Sequence, residues 1–125
     1  MPYLLAALGG AIGALARWGL TEALSSPAPG WPWATLLVNL TGCLLMGALL
    51  AHLSLRSPEP AWVRPLLGVG LLGGWTTYSA FAVEVVGLVE AGSTVTAVAY
   101  VLGSLVGGVA GVALGAAIVG RTAAP

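Results

Sequence analysis

Apolar residues run almost unbroken through four stretches, 3–24, 33–55, 62–89 and 94–119. The segments between them carry turn signals: SSPAPGWPW, SPEP and EAGS. A helix needs about 20 apolar residues to cross the hydrocarbon of a bilayer. The pattern therefore predicts an all-α membrane protein of four transmembrane helices, a single domain over 1–125 with no soluble part to hold a separate active site. In the third stretch the pattern fails. GGWTTYSAF, at 73–81, puts paired glycines and a row of hydroxyls in the middle of a span. Gly-Gly followed by Thr-Thr predicts an unwound turn over 73–77 that breaks the helix. Broken membrane helices free carbonyl oxygens, which can coordinate a cation such as Na⁺. The alternative is a glycine kink whose backbone groups are satisfied by the Thr hydroxyls.

Other polar side chains inside the spans recur at helical spacing. Thr35 and Asn39 lie four apart in the second span, and Tyr100 and Ser104 repeat that spacing in the fourth. Tyr78 and Phe81 lie three apart just beyond the glycine pair. Polar groups at membrane depth tend to face the interior or a water-filled cavity. Amides and hydroxyls offer N–H and O–H donors, and aromatic rings have a positive edge. Such a set can solvate an anion without a fixed cation that would slow its exit. Each residue also has an ordinary reading: Asn39 as a bond between helices, Tyr78 and Phe81 as packing.

Glycine recurs at every fourth position in the fourth span, at Gly103, Gly107, Gly111 and Gly115. The first span adds Gly9 and Gly13, and the third adds Gly70 and Gly74. Small residues at this spacing let helices approach closely, within one chain or across a dimer. Four helices of this size enclose little space, so a polar path forms more easily where two copies meet. A homodimer is the expected assembly.

Charge narrows the picture. Only 6% of residues are charged and 58% are hydrophobic, against roughly a quarter charged in soluble domains. If the N-terminus marks one side, Arg56, Arg64 and Arg121 share it, which favours a cytoplasmic N-terminus. The bias is small enough to suit a chain that inserts both ways. The first span has no basic segment before it and is not read as a cleaved signal peptide. Arg17 lies inside the first span, where it either snorkels to a vestibule and attracts anions or pairs with Glu84 or Glu22. Glu22 and Glu90 are expected at interfaces, and His52 near a helix end. Trp31, Trp33 and Trp62 are expected in the interfacial belt, and Trp18 and Trp75 in packing. The lone Cys43 excludes an intrachain disulfide and reads as a small hydrophobe. No metal-ligand spacing, nucleophile–base pair, phosphate loop or nucleic-acid patch is visible, so an enzyme is not expected.

GGAIGALARW near the start, NLTG at 39–42 and GLLGGWTTYSAFAVE at 70–84 closely resemble the Fluc (CrcB-type) fluoride channels. The resemblance covers essentially the whole chain. It implies a passive, fluoride-selective channel that exports F⁻ across the cell (inner) membrane of a prokaryote. The family forms dual-topology antiparallel homodimers with two pores along the interface. A structural Na⁺ sits at the centre, on backbone carbonyls that correspond here to Gly73 and Thr76. The pore aromatics correspond to Tyr78 and Phe81, the pore amide to Asn39, and the polar track to Thr35, Tyr100 and Ser104. Arg17 matches the vestibule arginine. Glu84 matches the acidic residue after the motif and receives no role. Tyr78 departs from the usual Phe, Trp18 from a Tyr or Phe, and Ala80 from Thr. Small multidrug transporters share the length and topology. They need a deep Glu in the first span, where this chain has Arg17.

Overall fold

The computed structural model describes residues 1–24, 30–56 and 58–122. Residues 25–29 of the first connector and Ser57 of the second lie outside the described residues. Four helices are long and apolar enough to cross a membrane: Pro2–Ala23, Trp33–Ser54, Arg64–Glu90 and Thr94–Thr122. The protein is a multi-pass, all-helical membrane protein. Helices α1 (Pro2–Ala23) and α2 (Trp33–Ser54) are single rods. The third span comes in three pieces: a π-helix over Arg64–Leu72, a single turn α3 (Gly73–Trp75), and α4 (Tyr78–Glu90). The last helix, α5 (Thr94–Thr122), runs past the expected end at 119.

Glycines hold the bundle together, in two seams. A Cβ on Gly115 of α5 would overlap the Leu44 carbonyl and meet the Ala48 nitrogen at 2.8 Å. Gly47 of α2 stands likewise against the Val112 backbone. Residue numbers rise together along this seam, so α2 and α5 run parallel. Gly13 of α1 meets Leu71 and Trp75 backbone, and Gly74 meets Gly10 and Ala14, so α1 and the first half of the third span are a second parallel pair. Without hydrophobic drive between helices in lipid, such backbone-to-backbone contact supplies dispersion attraction that side chains would block. The fourth-span stripe is used unevenly. Gly107, Gly111 and Gly115 all face α2, while Gly103 has nothing of its own chain within 4 Å.

The bundle is apolar outside and partly polar inside. Leu4, Leu8, Leu15, Val69, Val95 and Val109 are all exposed, as lipid-facing side chains are. The largest fully buried side chains are Tyr100, Val38 and Thr35. Thr35 and Tyr100 lie where α2, α4 and α5 meet, and Tyr100 belongs to a buried cluster with Leu36, Leu88 and Ala97. The α4–α5 turn closes on Gly92 at φ 75. The Ser93 N–H reaches Leu88 O at 2.8 Å and the Gly92 N–H reaches Val89 O at 3.0 Å, the paired bonds of a Schellman cap. That turn delivers α5 back beside α4. Arg56, Arg64 and Arg121 gather at the end of the bundle that holds Met1, with Glu22 and Glu90 at the other. Arg64 pairs with Glu59 at 2.6 Å on the surface, a contact of small energetic weight.

Gly115→Ile drives a branched side chain into the Leu44 carbonyl. It is expected to destabilise the fold by about 1–3 kcal/mol or more, read as a lower thermal midpoint in detergent. Gly120→Ala on the same helix, with open space around it, should leave the midpoint unchanged.

Candidate ion pathway

The polar residues of the third span are organised from α2. Thr76 and Thr77 are extended, at φ −77, ψ 158 and φ −147, ψ 126. The Asn39 side chain pairs with Thr77 as a neighbouring strand would. Its Nδ2 donates to Thr77 O at 2.9 Å, and the Thr77 N–H donates to Asn39 Oδ1 at 2.8 Å. Two residues on, Thr41 Oγ1 accepts the Trp75 indole N–H at 3.0 Å. Gly42 has no side chain, and the Thr76 methyl occupies that space. Three residues of NLTG thus each meet one residue of WTT. The extent is narrower than 73–77. Gly73 and Gly74 stay helical, because α1 packs its own glycines against that turn and the Asn39 bonds begin only at Thr77.

Two carbonyls lose their ordinary helical donors here. In an α-helix Gly73 O would accept the Thr77 N–H, which is spent on Asn39. Thr76 O would accept the Ala80 N–H, which goes to Thr77 Oγ1 at 3.2 Å as the cap of α4. Between them, Gly74 O accepts from Arg17 Nε at 3.0 Å. Arg17 is half-buried on this carbonyl, and no ion pair joins it to Glu84 among the described residues. Nor do three His, Cys, Asp or Glu side chains cluster among the described residues. Backbone carbonyl oxygen is a ligand suited to hard cations such as Na⁺.

The second polar group centres on Glu84. Thr35 Oγ1 donates to Oε1 at 2.6 Å, and Tyr100 OH donates to Oε2 at 2.7 Å. Thr35 is 2% exposed and Tyr100 is fully buried. Short O–H···O⁻ bonds of this kind are among the stronger hydrogen bonds in proteins. Aromatic rings link the two groups. Tyr78 and Phe81 have centroids 6.0 Å apart, and Phe81 and Tyr100 5.2 Å. Phe81 is half-buried, while Tyr78 is 81% exposed in the middle of its span. Ser104, half-buried, follows one turn deeper along α5. Asn39, Thr35, Tyr100, Tyr78 and Phe81 thus line one continuous seam, with Arg17 at the neighbouring Gly74 carbonyl. Sequence reasoning left Glu84, Thr41 and Gly42 without roles. The signal for Glu84 was its spacing, three residues after Phe81 and so on the same helical face.

The fold and the seam define a small four-span membrane protein with a row of hydrogen-bonded polar and aromatic side chains inside an apolar bundle. The family model described as "CrcB-like protein, Camphor Resistance (CrcB)" matches residues 4–116. A protein of Bordetella petrii named "Fluoride-specific ion channel FluC" is 48% identical over 115 residues, covering 92% of this chain and 88% of the relative. One of the same name from Paracoccus denitrificans is 46% identical over 113 residues, 90% of each. Another from Prosthecochloris aestuarii is 45% identical over 116 residues, covering 92% of this chain and 90% of the relative. The chain belongs to the CrcB-like family.

Thr35→Val and Tyr100→Phe each remove one donor from the Glu84 carboxylate with little change of shape. Each is expected to cost about 1.5–3 kcal/mol, measured as a loss of thermal stability in detergent. The double variant should lose less than the sum of the two, because both act on one carboxylate.

Proposed function

We propose that this protein is a passive, fluoride-selective channel that lets F⁻ leave the cell down its gradient. The observation that carries the reading is the seam from Asn39 through Tyr78 and Phe81 to Thr35, Glu84 and Tyr100, in a chain whose relatives are named for fluoride. Fluoride is small and strongly hydrated, so a narrow route must offer donors wherever it strips water away. Thr35 and Tyr100 hydroxyls already hold an anion, the Glu84 carboxylate. Those carboxylate oxygens stand in for the ion: a fluoride arriving from Phe81 takes the same O–H donors in turn. The ring edges of Tyr78 and Phe81 supply weak positive potential between the polar groups. No fixed ammonium or guanidinium lies in the Glu84 cluster among the described residues, which suits rapid exit.

The working unit in this reading is an antiparallel homodimer with dual topology, seated in the inner membrane of a prokaryote and bathed in its lipid. The exposure of Tyr78, Ser79 and Gly73 at mid-span supports it. A phenol hydroxyl facing hydrocarbon lacks a partner, and a second copy would cover it and complete two pores. A structural Na⁺ on the carbonyls of Gly73 and Thr76 of both copies is supported by the two helical donors diverted at Thr77. When bound it supplies positive charge and holds the facing turns together. Arg17 would stand near the vestibule, tethered by the Gly74 carbonyl.

Reconstituted vesicles loaded with KF, with valinomycin carrying K⁺, test the reading. Wild-type protein is expected to release F⁻ rapidly and to retain Cl⁻ in parallel KCl vesicles. Phe81→Ile, which keeps apolar bulk and loses the ring edge, should reduce F⁻ efflux at least tenfold, on the order of 1.4 kcal/mol in the barrier. A folded wild-type protein that releases no F⁻ would end the proposal.

Replacing Na⁺ by N-methylglucamine throughout should lower both dimer stability and F⁻ efflux, read by size-exclusion and the fluoride electrode. Identical profiles in the two cations would remove the carbonyl site.

A further inference from the structure

Trp31 is the residue that the channel reading leaves without a role. Its ring packs on the buried cluster of Leu36, Leu88, Ala97 and Tyr100. It stands edge-on to Tyr100, with centroids 5.8 Å apart and planes at 77°. On its other side the Trp33 ring lies 5.9 Å away, and Trp33 is exposed at the start of α2. The rings of Trp33, Trp31, Tyr100, Phe81 and Tyr78 therefore form one continuous row from the membrane surface to mid-span. Trp31 Nε1 is buried, and among the described residues it has no hydrogen-bond partner. The other interior indole differs: Trp75 Nε1 is satisfied by Thr41. A buried donor without a partner is uncommon and calls for a physical reason.

We infer that the Trp31 indole N–H is a contact for the permeating anion, between the Glu84 cluster and the end of the bundle that carries Glu22 and Glu90. This rests on the channel reading and extends it by one specificity-determining residue. The chemistry of the N–H edge fits an anion. The indole N–H edge donates and cannot accept, so it can bind an anion and cannot ligate a cation. It is neutral, so it can pass an ion on without trapping it. The next donor inward, Tyr100 OH, is held on Glu84, and its ring touches Trp31. Beyond Tyr100 and Thr35, the side chains of that buried cluster, Leu36, Leu88 and Ala97, are apolar. Trp31 supplies the missing donor there. The expectation that Trp31 belongs to the interfacial belt is thereby refined: Trp33 faces the membrane, and Trp31 faces inward.

The test combines flux with a direct view of the proton. The chain has five tryptophans, and each indole N–H gives a separate signal in a ¹⁵N-labelled sample in detergent. Trp31→Phe and Trp31→Tyr identify the Trp31 signal by its loss. In wild-type protein, NaF is expected to move the Trp31 proton downfield in a saturable way, and NaCl to leave it in place. In vesicles, Trp31→Phe should lower F⁻ efflux about tenfold, the effect of one donor to a charged group, with the elution profile unchanged. A Trp31 signal indifferent to NaF in a conducting wild-type protein overturns the inference and leaves the channel reading standing. Full efflux from a folded Trp31→Phe protein does the same. A folded wild-type protein without F⁻ efflux overturns both. If neither variant folds, isotope labelling at single tryptophans assigns the signal, and the wild-type titration decides.

Discussion

A backbone that leaves its helix inside a bilayer has no water to turn to. Every N–H and C=O released there must find a partner in the protein. At Thr77 that partner is one side chain, the amide of Asn39, which meets both backbone groups at once. Much of the surrounding structure follows from this pair. It takes the donor that Gly73 O would have used, and it holds Thr77 in the extended geometry that caps α4. The cap in turn sets the direction of Tyr78 and Phe81. Shift Asn39 and the backbone groups of Thr77 are unpaired at membrane depth, while the aromatic face of α4 loses its reference point.

A second constraint is electrostatic. A carboxylate within a span is costly, and an anion route that contains one is stranger still. The arrangement around Glu84 resolves the first difficulty with two short hydroxyl bonds from separate helices. It also gives the second a logic. Donors that satisfy a fixed anion are already oriented and already stripped of water. A mobile anion can use them without further reorganisation. In the channel reading proposed above, the acidic side chain is a placeholder that keeps Thr35 and Tyr100 poised.

The sequence carried much of this, unevenly. Four apolar runs of the right length made the spans legible, because lipid permits few alternatives. The polar positions Asn39, Thr35 and Tyr100 stood out because hydroxyls and amides are rare in such runs. What periodicity cannot express is who bonds to whom. Asn39 was legible as a donor, but its pairing with Thr77 depends on the crossing of two helices. Glu84 looked like any acid near a helix end until Thr35 and Tyr100 closed on it. Gly73 and Gly74 looked like the site of unwinding, since glycine weakens helices. In the fold the missing side chain of Gly74 serves contact with α1 while Gly73 stays helical and exposed, and the two threonines beyond them change the backbone instead. The π-helix over Arg64–Leu72 had no sequence signal.

The distribution of charge along the bundle has an electrical consequence. Arginines 56, 64 and 121 sit at one end and glutamates 22 and 90 at the other, so a single copy is a dipole set across the membrane. In the antiparallel pair proposed above, the second dipole lies head-to-tail beside the first, which favours inverted over upright neighbours. The two moments cancel along the membrane normal. One pore entered from one side then presents the same sequence of potentials as the other pore entered from the opposite side, and current through such a pair does not rectify.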